Sequence, residues 1–291
     1  MKSNSENRLI DYIQLSKLQI MLPVSLTGFT GFFIYNPVIS ANLIIVSIGI
    51  LLLAVSSSAL NQIQEVDLDR KMNRTHLRPL PEGRIRKSNA FIFTIITLIV
   101  GTLLIYHYGN LLAALIGLFT MLWYNGVYTY SKRITAFAVV PGALTGALPP
   151  LIGWVAAGGG AMDKPIIFIE FLFFMGQIPH FWLLILKYGK EYSEAGIPSL
   201  TDTFSKEQIN WLTFIWLVIS VVAALFLCYF EVIRSSLVIM ILLAGSVYII
   251  YRFSPLLKTS MVNKPAREYS ILLNLYFLLI MILLIADRIL R

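Results

Sequence analysis

The sequence contains a single cysteine, Cys228, and only three histidines among its 291 residues. One cysteine cannot form a disulfide framework within the chain, and it cannot supply the several thiolates of a structural metal cluster. Cys228 also lies inside an apolar run. A disulfide scaffold and a thiolate metal cluster are therefore excluded.

Charged residues are also scarce. They make up 13% of the chain, whereas 57% is hydrophobic and the mean hydropathy is +0.77. A soluble domain carries about 25% charged residues, and a bilayer-crossing helix needs roughly 17–25 apolar residues. Nine such runs are predicted, at 18–36, 41–60, 89–107, 110–129, 136–157, 166–186, 209–230, 234–251 and 269–287. The expected fold is an all-α polytopic membrane protein.

The few basic residues are distributed unequally between the two sides of these spans. Of the 23 Lys and Arg residues, 19 lie in alternate connecting segments: 1–17, 61–88, 130–135, 187–208 and 252–268. Because cytosolic loops carry the excess of Lys and Arg, we expect a cytosolic N-terminus and a multi-pass protein of the cell (inner) membrane. The net charge of +8 reflects this topology and contact with anionic lipid headgroups, so no nucleic-acid partner is expected.

Nothing in the composition marks a second domain. No Pro/Ser-rich linker interrupts the chain, and the first span is not followed by a small-residue cleavage site, so we interpret it as an uncleaved anchor. We therefore expect one integral-membrane domain over residues 1–291, with a short cytosolic segment at 1–14.

The charged stretch NQIQEVDLDRKMNRT, residues 61–75, directly follows the second apolar run. On a helix, Asn61, Glu65 and Asp69 share one face, whereas Asp67 lies on another and could turn inward if the helix unwinds. A carboxamide and carboxylates at a membrane boundary suit a diphosphate chelated through Mg²⁺, because that cation prefers oxygen ligands and keeps substrate phosphate oxygens in its shell. The stretch predicts a magnesium-diphosphate site.

Basic residues in the same stretch support this interpretation. Arg70, Lys71 and Arg74 could neutralise the remaining phosphate charge. The alternative is a solvated helix end on which acids and bases form ion pairs with one another.

Two further inner segments contain candidate residues. Tyr128 and Lys132 are four residues apart at the end of the fourth span, where they could grip a diphosphate; the alternative is an aromatic belt beside a topology-setting Lys-Arg pair. His180 lies within the sixth span, and ionisable groups there are functional candidates. The alternative for His180 is a structural hydrogen bond to a neighbouring helix.

Glycine and proline cluster within the fifth span, in PGALTGALPPLIGW at 141–154. Prolines in a membrane helix are tolerated where they are packed in protein or line a cavity, and small residues let helices approach closely. The cluster indicates either a ligand cavity or tight helix packing.

Several strings resemble the UbiA superfamily of intramembrane prenyltransferases, and within it the protohaem farnesyltransferases. These strings are NQIQEVDLD at 61–69, KMNRTHLRPLP at 71–81, YTYSKRIT at 128–135, GALPPLIGW at 146–154, QIPHFWLL at 177–184 and YSEAGIP at 192–198. The resemblance extends from about residue 11 to the end of the ninth span. It implies a helical bundle around a central cavity, with an allylic diphosphate held through Mg²⁺ at the cytosolic mouth.

The resemblance also implies roles for individual residues. The expected catalytic residues are Asn61, Glu65, Asp69 and Lys132. The expected metal ligands are Asn61, Glu65, Asp69 and Glu191. The expected diphosphate-binding residues are Asp67, Arg74, Tyr128, Arg133, Glu191 and Tyr192. His180 is the candidate for orienting the acceptor, either by contact with a porphyrin or by ligating its iron.

The chain departs from the family pattern in two respects. Glu65 and Glu191 stand where the family commonly has Asp, which adds one methylene to each carboxylate and shifts a metal ligand. The early signature Lys-Pro-Arg reads Lys17-Leu18-Gln19 here, so a basic residue that could meet an anionic substrate is missing.

The expected activity is Mg²⁺-dependent transfer of a farnesyl group from farnesyl diphosphate to a vinyl group of haem b, which gives haem O. One alternative is the same chemistry on another lipophilic acceptor, such as an aromatic quinone precursor. Another is a non-catalytic membrane protein, either a transporter or a haem- or lipid-binding relative. A transporter more often shows interrupted spans and paired charges at the bilayer midplane.

Overall fold

The computed structural model describes residues 2–257 and 266–291, and every regular element among them is helical. Residues 258–265 of the predicted segment 252–268 lie outside this described part. The α-helices are α1 (Lys2–Ser16), α2 (Leu18–Tyr35), α3 (Ala41–Gln64), α4 (Val66–Asp69), α5 (Lys87–Tyr108), α6 (Leu111–Leu122), α7 (Thr129–Ile134), α8 (Val139–Ala156), α9 (Lys164–Glu194), α10 (Lys206–Tyr229), α11 (Ser236–Phe253) and α12 (Ala266–Ile289).

Within the described ranges, nine segments are long and apolar enough to cross a membrane, one at each predicted position. The predicted all-α polytopic fold is confirmed, and the chain is an integral multi-pass membrane protein. The fourth crossing is composite, because α6 continues through a π-helix at Trp123–Tyr128 into α7. The sixth crossing, α9, runs eight residues beyond its predicted end at 186 and carries the helix to Glu194.

The glycine- and proline-rich fifth crossing, α8, is the most buried of the spans and packs closely against α2. A Cβ on Gly31 would overlap the Pro150 carbonyl, and a Cβ on Gly153 would overlap the Gly28 carbonyl. The backbones of the two helices are therefore in direct contact. Of the two sequence interpretations, tight helix packing describes this face of α8.

The segment between α4 and α5 folds back under the end of the bundle. Leu80 and Ile85 from this segment are buried in one cluster with Leu15 of α1 and Val66 of α4. Arg84 forms an ion pair with the buried carboxylate of Asp11 in α1. These contacts fix the segment beside the ends of α1, α3 and α5.

Candidate active site

The carboxylates predicted to follow the second crossing lie at the end of α3. That helix ends at Gln64, Glu65 leaves helical geometry (φ −110°, ψ 8°), and α4 continues the chain for one turn to Asp69. Asn61, Glu65 and Asp69 are all buried, and the amide nitrogen of Asn61 donates a 3.1 Å hydrogen bond to Thr129 Oγ1. These three residues do not form a solvated helix end.

Glu65 is paired with a base from the fourth crossing. Lys132 Nζ lies 2.5 Å from Glu65 Oε1, and both side chains are largely shielded, with 21% and 9% of their surfaces exposed. Lys132 Nζ also lies 5.5 Å from the centroid of the Tyr128 ring, one helical turn earlier. The structure therefore brings the predicted Tyr128–Lys132 pair to Glu65.

Asp69 is paired with Arg78, a residue that no sequence pattern marks as part of the site. Arg78 Nη1 lies 2.9 and 2.8 Å from the two carboxylate oxygens of Asp69. The Thr75 hydroxyl donates a 3.0 Å hydrogen bond to the Asp69 carbonyl and holds the intervening loop. This pairing is seen only in the folded structure, where the loop returns Arg78 to α4. A separation of nine residues matches neither helical nor strand periodicity, so the sequence does not predict it.

Arg74 joins the two acidic segments. Its backbone amide donates a 3.2 Å hydrogen bond to Glu191 Oε2, and its guanidinium donates a 3.3 Å hydrogen bond to the Tyr192 hydroxyl. The guanidinium also lies 4.7 Å from the centroid of the Tyr188 ring. Met72 is buried with Ala195 and Ile197 just beneath this contact, in a small apolar cluster. The ends of α4 and α9 therefore form one site.

Lys17 is a further basic residue at this site. It occupies the left-handed turn between α1 and α2 (φ 46°, ψ 45°). Burial, and after it the positive charge of Arg78, lower the pKa of its ammonium group to about 7, while Asp69 and Glu65 oppose the shift. From the sequence, the Lys17-Leu18-Gln19 string indicates only that a basic residue of the family signature is missing. The structure places Lys17 in the electrostatic field of the site carboxylates.

A polar network anchors the π-helix to α3. The Asn125 side chain donates to the Ser57 carbonyl at 3.0 Å and to Gln64 Oε1 at 3.2 Å, and Gln64 Nε2 donates to the Asn125 carbonyl at 3.2 Å. π-Helical turns are rare and occur frequently at functional sites. This one lies between α6 and α7 and sets the position of the turn that carries Lys132.

Aromatic rings form a wall beside the charged groups. The Tyr128 ring centroid lies 5.4 Å from that of Tyr124 and 5.9 Å from that of Phe181. Phe181 belongs to α9, so the wall spans the fourth and sixth crossings. It gives the site an apolar side next to Lys132.

His180 also belongs to α9, but it contacts another part of the bundle. It is half-buried, packs edge-on against Phe181 and hydrogen-bonds to the Asn274 side chain of α12. This contact between helices is the structural alternative considered for His180. The structure describes no contact between His180 and the carboxylates.

Two predicted diphosphate-binding residues are bonded elsewhere. Asp67 does not turn inward: its side chain is 78% exposed and pairs with Arg70 at 3.1 Å, because the single turn of α4 places it opposite Asp69. Arg133 is exposed, and its guanidinium donates a 2.8 Å hydrogen bond to the Gln64 carbonyl at the end of α3.

The donor set agrees with Mg²⁺ bound together with its substrate. Among residues 2–257 and 266–291, no three His, Cys, Asp or Glu side chains lie close enough to hold a metal ion by themselves. Mg²⁺ does not require three, because it is usually held by one or two carboxylates, water and substrate phosphate oxygens. Glu65, Asp69 and the amide oxygen of Asn61 are oxygen donors of that kind.

The family model of the UbiA prenyltransferases matches residues 22–282. The chain belongs to this family, and it is a prenyltransferase. Its helical bundle is similar to that of a digeranylgeranylglyceryl phosphate synthase (TM-score 0.77, 19% identity, 98% of this chain and 100% of the other). It is also similar to a UbiA homologue from Archaeoglobus fulgidus bound to GPP and Mg²⁺ (TM-score 0.70, 17% identity, 96% and 98%).

Two curated relatives of this chain carry the same name. The chain is 31% identical to the protoheme IX farnesyltransferase of Oleidesulfovibrio alaskensis over 276 residues, which cover 94% of this chain and 95% of the relative. It is 42% identical to the protoheme IX farnesyltransferase of Geobacter sulfurreducens over 170 residues, 58% of this chain and 62% of that protein.

Proposed function

We propose that the protein transfers a farnesyl group from farnesyl diphosphate to a vinyl group of haem b, in a Mg²⁺-dependent reaction that gives haem O. The observation that carries this proposal is the contact of Arg74 with Glu191 and Tyr192. This contact brings the acidic segment that follows α3 together with the acidic end of α9. The site that these two segments form is called the polar mouth below. The relatives named protoheme IX farnesyltransferase support haem as the acceptor.

The polar mouth binds the diphosphate head of the substrate. Asn61, Glu65 and Asp69, with Glu191 from α9, would hold Mg²⁺, which would supply positive charge to stabilise the leaving diphosphate oxygens. Arg74 and Lys132 neutralise phosphate charge from the two sides of the mouth. The Tyr192 hydroxyl, 3.3 Å from the Arg74 guanidinium, helps orient that arginine.

The farnesyl chain packs against the aromatic wall, which is formed by Tyr124, Tyr128 and Phe181. Tyr128 and Phe181 exclude water from the allylic carbon, so the electron-deficient carbon persists until the acceptor reacts. The allylic C–O bond breaks with its electron pair going to diphosphate, and the haem vinyl π electrons form the new C–C bond. Water then adds to the resulting carbocation and loses a proton, which gives the hydroxyethylfarnesyl group.

His180 is the residue we assign to the acceptor. It directly precedes Phe181 in α9, and its ring packs edge-on against the Phe181 ring of the aromatic wall, with 6.4 Å between the ring centroids. Its hydrogen bond to Asn274 orients the ring. The charge distribution supports a cytosolic N-terminus and a mouth that opens to the cytosol, because Lys17, Lys132 and Arg74 all lie at this end of the bundle.

The test uses purified protein in liposomes with haem b, farnesyl diphosphate and Mg²⁺, followed by mass spectrometry of the products. A haem that carries a hydroxyethylfarnesyl group is the expected result. A prenylated product from an aromatic quinone precursor, with unmodified haem, would contradict the acceptor and retain the transferase chemistry. Absence of product from both acceptors would contradict the reaction itself.

A further inference from the structure

The two buried carboxylates at the junction of α3 and α4, Glu65 and Asp69, are each matched by one base from another segment. Glu65 contacts Lys132 of α7 at 2.5 Å, and Asp69 contacts Arg78 of the following loop at 2.8 Å. Both acids are buried, and both bases are mostly shielded from water. Two of the carboxylates proposed as metal ligands, Glu65 and Asp69, are therefore already neutralised by the protein.

This pairing opposes the binding of a metal ion alone. A cation that takes the oxygens of Glu65 displaces Lys132, and one that takes those of Asp69 displaces Arg78. Each displaced base then remains in a shielded site without a counter-ion, which is much less favourable than the original pair. Lys17, when it is protonated, adds a further positive charge to the same field. The site therefore repels a divalent cation that arrives without an anion.

A diphosphate removes this penalty. Its oxygens accept hydrogen bonds from lysine and arginine, and charge-assisted contacts of this kind are stronger than neutral ones. Lys132 and Arg78 can then transfer from carboxylate to phosphate, while the released carboxylates of Glu65 and Asp69 take the metal. One exchange satisfies all four side chains.

We propose that Lys132 and Arg78 are internal counter-ions that keep the site closed to free metal, so that Mg²⁺ and the diphosphate bind only together. This inference rests on the proposed function and adds to it the order of binding and a role for Arg78. The exchange makes the two ligands mutually dependent, so each increases the affinity of the site for the other.

The test measures binding of Mn²⁺, as a substitute for Mg²⁺, to the detergent-solubilised full chain by electron paramagnetic resonance, with and without inorganic pyrophosphate. The wild type is expected to bind Mn²⁺ weakly alone and about 5- to 150-fold more tightly with pyrophosphate. Lys132→Met and Arg78→Met are expected to bind Mn²⁺ alone more tightly than the wild type and to show a smaller gain from pyrophosphate.

The matched control is Lys87→Met, which removes an exposed base from the same connecting segment, 61–88, and should leave the wild-type pattern unchanged. Thermal midpoints establish that each variant is folded, and Lys132→Arg, which keeps the charge, should restore the weak binding of metal alone. Equal Mn²⁺ affinity of the wild type with and without pyrophosphate would overturn the exchange and leave the proposed function intact. Absence of pyrophosphate binding at every metal concentration would overturn both the exchange and the proposed function.

Discussion

The backbone amide of Arg74 donates a hydrogen bond to the carboxylate of Glu191 across 117 residues of sequence. This 3.2 Å contact joins the loop after α4 to the last turn of α9. Its acceptor is a glutamate, where the resemblance to the family implies an aspartate. The longer side chain is therefore matched to the position of the Arg74 amide in this chain.

Glu191→Asp is expected to weaken substrate binding. The change shortens the side chain by one methylene, about 1.5 Å, so the carboxylate no longer reaches the Arg74 amide. A displacement of that size can cost about 10²-fold in rate. Steady-state assays should show a raised KM for the prenyl diphosphate. Glu194→Asp, which changes an exposed carboxylate 3.9 Å from Lys190, is the matched control, and wild-type kinetics for Glu191→Asp would contradict the match.

Asp69→Ala is expected to abolish Mg²⁺-dependent release of diphosphate. The variant removes an oxygen ligand and leaves Arg78 partly buried without its carboxylate, and breaking a buried pair costs about 3–5 kcal/mol. Asp69→Asn preserves the size of the side chain and should lose the same activity while remaining closer to wild-type stability. Diphosphate release is measured by a coupled phosphate assay, with the exposed Glu231→Ala as control. Full activity of Asp69→Asn would remove Asp69 from the site.

The sequence alone predicts the nine crossings and much of the site because both depend on local patterns. Apolar runs set the spans, and helical spacing places Asn61, Glu65 and Asp69 on one side of the chain. Helical spacing also predicts that Asp67 lies on a different face of the helix from the other three residues. It does not predict that Asp67 is exposed and pairs with Arg70.

The remaining features depend on contacts between distant segments. Arg78 reaches Asp69 because the loop folds back, and Asn125 stabilises a π-turn that no residue pattern marks. The end of α9 continues as helix to Glu194 although its last residues are polar, because Tyr192 and Ala195 pack against the loop that contains Met72. Tertiary packing therefore decides where this helix ends.

Lys17→Met is expected to increase the free energy of unfolding, and the increase should be larger at pH 7 than at pH 9.5. In the folded protein the pKa of Lys17 is about 7, below its ordinary value of 10.5, so the unfolded chain binds more protons between these two pH values. The wild type therefore gains stability as the pH rises from 7, and the charged lysine is most unfavourable at or below pH 7. Thermal midpoints in detergent measure the difference. Lys71→Met should show no such trend, and a difference between Lys17→Met and wild type that does not change with pH would contradict the assignment.

Gly31→Ala is expected to destabilise the bundle. The added Cβ overlaps the Pro150 carbonyl, and a backbone group cannot move aside as a side chain does. Overpacking of this kind typically costs about 1–3 kcal/mol. Unfolding in sodium dodecyl sulfate measures the change. Gly245→Ala is the matched control, because its Cβ meets the flexible end of Leu279 at 2.9 Å and the Tyr276 ring at the ordinary contact distance of 4.0 Å, and no backbone atom. Equal stability of the two variants would contradict direct backbone contact between α2 and α8.

Asn125→Ala is expected to impair the site without touching the substrate. It removes the donor to the Ser57 carbonyl and to Gln64 Oε1, and an unsatisfied buried acceptor costs about 1–3 kcal/mol. Because Asn125 fixes the π-turn that precedes Lys132, its loss should raise KM for the prenyl diphosphate more than it lowers kcat. Gly126→Ala changes the same turn, and its added Cβ meets no atom within 4 Å, so it should retain wild-type kinetics. Loss of stability in Asn125→Ala with an unchanged KM would show that the network supports the fold but does not position Lys132.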